Sequence, residues 1–287
     1  MSAALDRRLH AYREDLADVR LSDQVEALEY REGTSATVDL PVADMRPAPN
    51  EASGIDTQLL HGDRVRVFDR DDDFVWCQSE RDQYVGYITV DAIREEVKKP
   101  THIVSVPRTF LYPEPDMKRP HCSALSMGSR LTIVGNEEVR GTRYAITNDG
   151  HALIQRHLRR FAAHAADYVT VAEQLLHTPY LWGGASAFGL DCSGLVQLAM
   201  MMCGKDVLRD SDMQAGSIGE DLGFAAMDGG LRRGDLVFWK GHVGIMCDAD
   251  TLIHANGHTM SVARELLEDA VERIGYLYGF PTGLRRP

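Results

Sequence analysis

The sequence predicts a multidomain α+β protein in which two small antiparallel β-barrels precede a C-terminal domain of mixed structure. Three observations lead to this prediction. Short runs rich in β-branched and aromatic residues, broken by Gly and Asp, fill residues 56–90 and, more faintly, residues 101–160. A glycine-rich loop at residues 183–194 leads into an apolar run with helical spacing. Strand-like runs then follow from about residue 235.

The domain boundaries are placed where this pattern breaks. A short charged helix is predicted at residues 3–17, and a Pro-rich stretch from Leu40 to Pro49 follows as an entry loop. A second break lies at Lys98-Lys99-Pro100. The predicted regions are an N-terminal helical or extended segment at 1–40, a first barrel at 41–98, a second barrel at 99–160 and the last domain at 161–287.

Composition and charge narrow the possible partners. The chain has 287 residues, 44% of them hydrophobic, with a net charge of −12 and a pI near 5.3. This balance argues against nucleic acid and an anionic membrane as partners. The N-terminus has no apolar core of a signal peptide, and no apolar run reaches 18 residues, so a cytoplasmic location is expected.

The cysteines and acidic runs do not suggest a metal site. Five cysteines are scattered without CxxC pairs, which is typical of free thiols in a reducing compartment. The acidic run Asp69–Asp73 has Phe74 where a calcium loop needs its sharp-turn glycine, so we interpret the run as a solvated turn. No cofactor or metal ion is expected.

The last domain is predicted to open with a helix at residues 166–177, which Thr178-Pro179 ends. A second helix begins near Cys192 and buries its apolar side chains. After a long loop, we expect strands at about 235–240, 242–247, 251–255, 260–264 and 275–280.

Cys192 is the candidate nucleophile, because a thiol at a helix N-terminus beside an imidazolium loses its proton more readily. Asp191 suits the N-cap of that helix. His242 and His254 each lie on a strand-like run downstream, the arrangement of a thiolate with a base and an orienting group. A buried structural cysteine and core histidines are the alternative interpretation.

Six motifs in the C-terminal part of the chain resemble the NlpC/P60 family of cell-wall cysteine peptidases. They run in family order across about residues 166–287. The matching residues are Tyr180-Leu181-Trp182-Gly183-Gly184, Asp191-Cys192-Ser193-Gly194, Arg209-Asp210-Ser211-Asp212-Met213-Gln214, Gly234-Asp235-Leu236-Val237-Phe238-Trp239, Gly241-His242-Val243-Gly244 and His254-Ala255-Asn256.

The resemblance implies a papain-like fold and a role for each matching residue. Cys192 would be the nucleophile, His242 the general base and His254 the residue that orients the base, with His258 as its competitor. Tyr180 would point its hydroxyl into the site and help to stabilise the oxyanion.

Residues 41–98 resemble a bacterial SH3 domain, mainly through Trp76 and Tyr84-Val85-Gly86-Tyr87. The subgroup of γ-D-glutamyl-L-diamino acid endopeptidases with paired SH3 domains, the dipeptidyl-peptidase VI type, is the most similar. In that subgroup, substrate-binding positions bind a free L-Ala amine or line the D-Glu pocket. The matching positions are Asp191, Ser193, Ser211, Asp56 and Tyr84. Asp56 stands where the subgroup usually has Glu, so a solvated loop acid is an equal alternative.

The resemblance therefore implies a cysteine endopeptidase that acts on murein peptides, and the expected cytoplasmic location favours peptidoglycan recycling. Such an enzyme would cut the bond between γ-D-Glu and a diamino acid in murein peptides with a free N-terminal L-Ala, without nucleic acid or membrane partners. Two alternatives stay open at this point. One is an amidase or transferase of the same superfamily, and the other is a non-catalytic protein that binds wall peptides.

Overall fold

The structure, a computed structural model, describes residues 5–287 and divides them into two compact units, residues 5–163 and 164–287. This division falls three residues beyond the start predicted for the last domain. No helix within the described residues is long and apolar enough to cross a membrane.

The first unit is built almost entirely of short strands, with single 3-10 turns at Val19–Leu21, Val90–Ala92 and Gln155–His157. Its strands are β1 (Leu16–Asp18), β2 (Glu29–Arg31), β3 (Thr34–Val38), β4 (Val42–Met45), β5 (Thr57–Leu60), β6 (Arg64–Arg70), β7 (Phe74–Ser79), β8 (Val85–Thr89), β9 (Ile93–Arg94), β10 (His102–Val104), β11 (Arg108–Leu111), β12 (Ser123–Ser126), β13 (Arg130–Leu131), β14 (Ile133–Val139), β15 (Thr142–Thr147), β16 (Ala152–Ile154) and β17 (Leu158–Arg160).

The first half of this unit contains the four strands predicted between residues 56 and 90. They belong to a five-stranded sheet of order β8-β7-β6-β3-β9 and to the hairpin β4-β5. Strand β3 pairs with both β6 and β9, so this sheet begins before the boundary predicted at residue 41. Asp71 accepts hydrogen bonds from the backbone N–H groups of Asp73 and Phe74, so only the end of the acidic run forms the turn between β6 and β7. Asp69 lies in β6 and is ion-paired with Arg13 and Arg31, so it is not part of the solvated turn that the sequence predicted.

The charged helix predicted at residues 3–17 is wrong where the structure describes that segment. Residues 3 and 4 lie outside the described part, and residues 5–15 form turns and a bridge that lead into β1 at Leu16. Ala11 and Leu16 are buried in one cluster with Phe68 and Trp76. Packing against the sheet therefore overrides the helical propensity of this charged segment.

The second half of the unit forms three small sheets, β13-β10-β17, β11-β12 and β14-β15-β16. Their apolar faces share one cluster that contains Val104, Leu125, Leu131, Ala145 and Leu153. The strands predicted between residues 101 and 160 are present. A second SH3-like barrel in this region stays a prediction.

The second unit combines helices with one large antiparallel sheet. Its elements are α1 (Tyr168–Gln174), β18 (Ala185–Ser186), β19 (Gly189–Leu190), α2 (Cys192–Met202), α3 (Ser211–Ser217), β20 (Glu220–Asp221), a 3-10 turn (Phe224–Met227), β21 (Leu236–Trp239), β22 (His242–Met246), β23 (Thr251–Asn256), β24 (Ser261–Leu266), α4 (Leu267–Tyr278) and β25 (Gly283–Arg286). The sheet order is β20-β25-β21-β22-β23-β24. This arrangement confirms the α+β prediction for the C-terminal domain.

Helix α2 is the centre of this unit. All eleven of its residues are buried, because it packs against α1, α3 and the sheet strands β22 and β23. The sequence predicted only one buried face. The apolar residues around its whole circumference are those of a core helix.

The strand predicted at residues 275–280 is wrong, because α4 occupies most of that range. Leu267, Ala270 and Ile274 are buried at helical spacing and pack beneath the sheet. The aromatic residues near Tyr276 that suggested a strand are exposed. The helix ends at Gly279, whose φ of +90° is a conformation that favours glycine.

Candidate active site

Cys192 is the first residue of α2, as the sequence predicted. Asp191 is the N-cap, and its Oδ1 accepts a hydrogen bond from the N–H of Gly194 over 2.7 Å. A Cβ at Gly194 would lie 2.2 Å from the carbonyl oxygen of Gly184, so only glycine allows the loop to approach the helix this closely. The loop therefore fixes the position of the thiol.

A buried arginine holds the N-cap in place. Nη1 and Nη2 of Arg209 donate to Oδ1 and Oδ2 of Asp191 over 3.0 and 2.6 Å, and only 1% of the Arg209 side chain is exposed. Gly183 N–H also donates to Asp191. Both carboxylate oxygens of Asp191 therefore accept hydrogen bonds within the protein. The amine-binding role that the resemblance implies for Asp191 stays a prediction.

The thiol of Cys192 lies beside the backbone on both sides of His242. Its Sγ is 3.9 Å from the carbonyl oxygen of Gly241, and the N–H of Val243 donates to the sulfur. His242 is the first residue of β22 and is half-buried. The start of α2 and the start of β22 therefore bring the predicted nucleophile and the predicted base together.

Burial keeps both groups neutral, contrary to the lowered thiol pKa that the sequence predicted. Burial and the charge of Asp191 raise the pKa of Cys192 to about 12, although Arg209 and two backbone N–H groups oppose the shift. Burial, followed by His254 and Arg273, lowers the pKa of His242 to about 3. The helix N-terminus is outweighed because the closed site excludes solvent.

His254 contacts His242, as predicted, and His258 does not. Nε2 of His242 and Nδ1 of His254 are 2.8 Å apart, and His254 is fully buried on β23. His258 lies in the exposed turn after β23, where its N–H donates to Asn256. Of the two candidates, His254 is therefore the one that lies where the sequence predicted a residue orienting His242.

Tyr180 lies beside the same site. Its N–H donates to the carbonyl oxygen of Met260, and its backbone is bridged to Leu190, two residues before the nucleophile. Burial and the nearby Cys192 and Asp191 raise the pKa of Tyr180 to about 12. Its hydroxyl keeps its proton at neutral pH and is a hydrogen-bond donor.

The two predicted substrate-binding serines differ in their surroundings. Ser193 is buried, and its Oγ accepts a hydrogen bond from Arg209 over 2.8 Å. Ser211 is half-buried and begins α3. Gln214 on α3 donates to the carbonyl oxygens of Ser193 and Leu208, so it ties α3 to the start of α2.

Asp56 and Tyr84 belong to the other unit. Asp56 precedes β5, and its N–H donates to the carbonyl oxygen of Met45. Tyr84 precedes β8 and is 3% exposed. Their predicted role in substrate binding stays a prediction.

The sequence missed three charged residues around the site: Arg209, Glu265 and Arg273. Arg209 lies in one of the motifs, where a lone Arg beside Asp suggests solvent rather than a buried pair. Glu265 lies one residue beyond the strand predicted at 260–264. Arg273 lies on α4, between the strands predicted at 260–264 and 275–280, where the sequence predicted no element.

No metal centre is built into the described chain. Among residues 5–287, no group of three or more His, Cys, Asp or Glu side chains could hold a metal ion. All five cysteines are free, as predicted.

Comparison with known proteins identifies a domain in each unit. The NlpC/P60 family matches residues 177–272, and the bacterial dipeptidyl-peptidase SH3 domain matches residues 45–93. Dipeptidyl-peptidase 6 of Lysinibacillus sphaericus is 24% identical over 242 residues, which cover 77% of this chain and 88% of that protein.

Two further comparisons extend over most of the chain. The γ-D-glutamyl-L-lysine dipeptidyl-peptidase of Bacillus subtilis (strain 168) is 28% identical over 226 residues, which cover 70% of this chain and 72% of that protein. A crystal structure of an NlpC/P60 family protein from Bacillus cereus ATCC 10987 has a TM-score of 0.73 at 22% identity. The aligned region covers 88% of this chain and 99% of that protein. The fold is therefore shared with that protein.

Proposed function

We propose that this chain, an NlpC/P60 protein with a bacterial SH3 domain and a homologue of dipeptidyl-peptidase 6 and of γ-D-glutamyl-L-lysine dipeptidyl-peptidases, is a cysteine endopeptidase. Its substrate is a murein peptide with a free N-terminal L-Ala. The cleaved bond joins γ-D-Glu to the following diamino acid, meso-diaminopimelate or L-Lys. A role in cytoplasmic recycling of wall peptides is part of the proposal.

The observation that carries this proposal is the position of the Cys192 thiol. It sits at the start of α2, against the backbone of Gly241 and Val243, with His242 between them. A buried cysteine that served only to fill space would need neither an imidazole beside it nor a second imidazole behind the first. A nucleophile needs both.

Acylation begins from the neutral pair. The sulfur of Cys192 attacks the γ-carbonyl carbon while its proton passes to His242, which acts as general base. The carbonyl oxygen becomes an oxyanion, for which the N–H of Cys192 and the hydroxyl of Tyr180 are the candidate donors. His242 then returns the proton to the leaving amine, and the C–N bond breaks.

Hydrolysis of the thioester repeats the same steps with water. His242 takes a proton from the water, the hydroxyl oxygen adds to the carbonyl carbon, and the C–S bond breaks. The proton on His242 goes to the departing sulfur, which restores the thiol. His254 keeps the His242 ring in position throughout, because their nitrogens are 2.8 Å apart.

The direct test incubates the full chain with L-Ala-γ-D-Glu-meso-diaminopimelate and with its L-Lys counterpart, followed by mass spectrometry. Release of L-Ala-γ-D-Glu and the free diamino acid supports the proposal. Cleavage of another amide, or transfer of the acyl group to an added amine, points to the amidase or transferase alternative. Binding of intact peptide without any product points to a binding protein.

A further inference from the structure

Four polar side chains extend in line behind the nucleophile. His242 contacts His254, with 2.8 Å between Nε2 and Nδ1, and Nε2 of His254 is 2.7 Å from Oε1 of Glu265. Arg273 donates to the same oxygen of Glu265. The line of side chains ends at the partly exposed Glu265 carboxylate and its partner Arg273. The fully buried His254 therefore links His242 to an anion.

The sheet register produces this line. His242, His254 and Glu265 lie on β22, β23 and β24, three neighbouring strands. His254 pairs with Ala263, which places Glu265 on the same face at the diagonal position. A Cβ at Gly244 would lie 3.7 Å from that of His254, so β22 presents a residue without a side chain beside the His254 ring.

The direction of the hydrogen bonds follows from the carboxylate. The contact between Nε2 of His254 and Glu265 is short, at 2.7 Å, although it lacks hydrogen-bond geometry. An ionised carboxylate only accepts, so when His254 is neutral its hydrogen belongs on the Nε2 that faces Glu265. Its Nδ1 is then an acceptor, and the hydrogen between the two rings must belong to Nε2 of His242. This leaves Nδ1 of His242 unprotonated, as a general base requires.

We propose that Glu265 is a positioning residue that selects, through His254, the tautomer of His242 that can accept the thiol proton. The catalytic role in this inference rests on the proposed peptidase function. The geometry consists of three contacts within the second unit, His242–His254, His254–Glu265 and Glu265–Arg273. Arg273 from α4 holds the carboxylate in place, and no proton transfer is assigned to Glu265.

The charges that face the line are few. Glu265 and Arg273 are the charged groups that act on His242, and Asp191 and Arg209 act on the thiol. Burial alone would raise the pKa of Glu265, but its contacts with His254 and Arg273 lower the pKa below its ordinary value. Glu265 is therefore the anion that this line requires at neutral pH.

The first test measures tautomers without any substrate. In protein labelled with 15N-histidine, nitrogen chemical shifts distinguish protonated from unprotonated ring nitrogens, and the loss of signals in His242→Gln and His254→Gln assigns them. At pH 7 we expect Nε2–H on both rings of the wild type and an unprotonated Nδ1 on His242. A hydrogen on Nδ1 of His242 would overturn the proposal, even in an inactive protein.

The second test uses Glu265→Gln, which keeps the size of the side chain but can donate as well as accept. We expect mixed tautomers on His242 and a fall in kcat of at least about tenfold with KM unchanged. Glu268→Gln, at an exposed position on α4, removes the same charge and should change neither.

The outcomes separate this inference from the proposed function. A wild type that does not cleave the peptide contradicts the function, while the 15N shifts still decide the tautomer. An active wild type whose tautomers and kcat are unchanged by Glu265→Gln contradicts the positioning role. If Glu265→Gln does not fold, Glu265→Asp, which keeps the charge, is compared with Glu265→Ala. The proposal then requires that Glu265→Asp has the wild-type tautomers and a higher kcat than Glu265→Ala.

Discussion

At the scale of single residues, Cys192 and Cys203 offer a matched comparison on one helix. Cys192 begins α2, and Cys203 is its C-cap. We expect Cys192→Ala to lower kcat/KM by more than about 100-fold, because the reaction loses its nucleophile. Cys203→Ala should keep nearly full activity. Tripeptide hydrolysis and a thermal unfolding curve of each variant are the measurements, and more than about 1% residual activity in Cys192→Ala would contradict the assignment.

The pH dependence of alkylation tests the neutral state of the thiol. Burial raises the pKa of Cys192 to about 12, so its thiolate fraction should rise about tenfold per pH unit across pH 6–10. Iodoacetamide labelling of Cys192, followed by peptide mass spectrometry, should therefore accelerate steadily over this range. The exposed Cys122 of the same chain is the internal reference for reagent decay. A plateau near pH 7 would show that the thiolate forms before substrate binds.

The residues that the sequence predicted in the site are those with a local signature. Cys192 and His242 each lie in a short motif whose neighbours fix the backbone, and Asp191 is the N-cap that the motif predicted. Glu265 was missed because its contact with His254 depends on the pairing of two strands. A prediction of strand length that is wrong by one residue leaves it outside the sheet.

At the scale of elements, the start of α2 depends on the buried pair of Arg209 and Asp191. Arg209→Met should lower the free energy of unfolding by about 3–5 kcal/mol, because a largely buried carboxylate loses its counter-ion. Arg232→Met makes the same chemical change at an exposed position and should cost less than about 0.5 kcal/mol. Denaturant unfolding of the two variants is the measurement, and equal midpoints would contradict a structural role for the pair.

Elements that coincide with a bounded apolar run were predicted well, and those shaped by distant contacts were not. Helix α2 and strands β21 to β23 were predicted to within about two residues, because apolar runs bounded by Gly or Asp leave few alternatives. A strand was predicted at residues 275–280, which overlap the end of helix α4, where Tyr276 and its aromatic neighbours have high β propensity. The helical form of α4 is set by burial of Leu267 and Ile274 beneath the sheet.

At the scale of the whole molecule, the order of domains was predictable from the change in pattern along the chain, while their limits were less so. Strand β3 pairs with β6, which lies some 30 residues later in the chain. The first sheet therefore begins before the boundary that the sequence predicted. Such pairing has no signature in the five residues of β3 themselves.

Recognition of a free N-terminal amine is the prediction that names residues in each unit, Asp191 in the second and Asp56 and Tyr84 in the first. Intact wall peptides carry the lactyl group of muramic acid on L-Ala, so a site that requires a protonated amine rejects them. N-acetylation of the tripeptide removes the positive charge that the matching acids, Asp191 and Asp56, are predicted to recognise. A hydrogen bond to a charged group is worth about 1.5–3 kcal/mol, so its loss should lower kcat/KM at least about tenfold.

Comparison of kcat/KM for the free and acetylated tripeptides at low concentration measures this discrimination, and variants of the first unit locate it. Asp56→Asn should lower kcat/KM for the free peptide, because the variant loses the negative charge that would attract the protonated amine. The low kcat/KM for the acetylated peptide should not change, because that peptide has no charged amine. Asp72→Asn removes an exposed acid from the same unit and should preserve the wild-type ratio. Tyr84→Phe removes only the hydroxyl and keeps the buried ring. A lower kcat/KM for the free peptide in this variant would show that the hydroxyl takes part in recognition of the amine. Equal rates on the two peptides with the wild type would instead indicate a hydrolase of intact peptidoglycan, in which the SH3 domain serves attachment to the wall and the amine is not recognised.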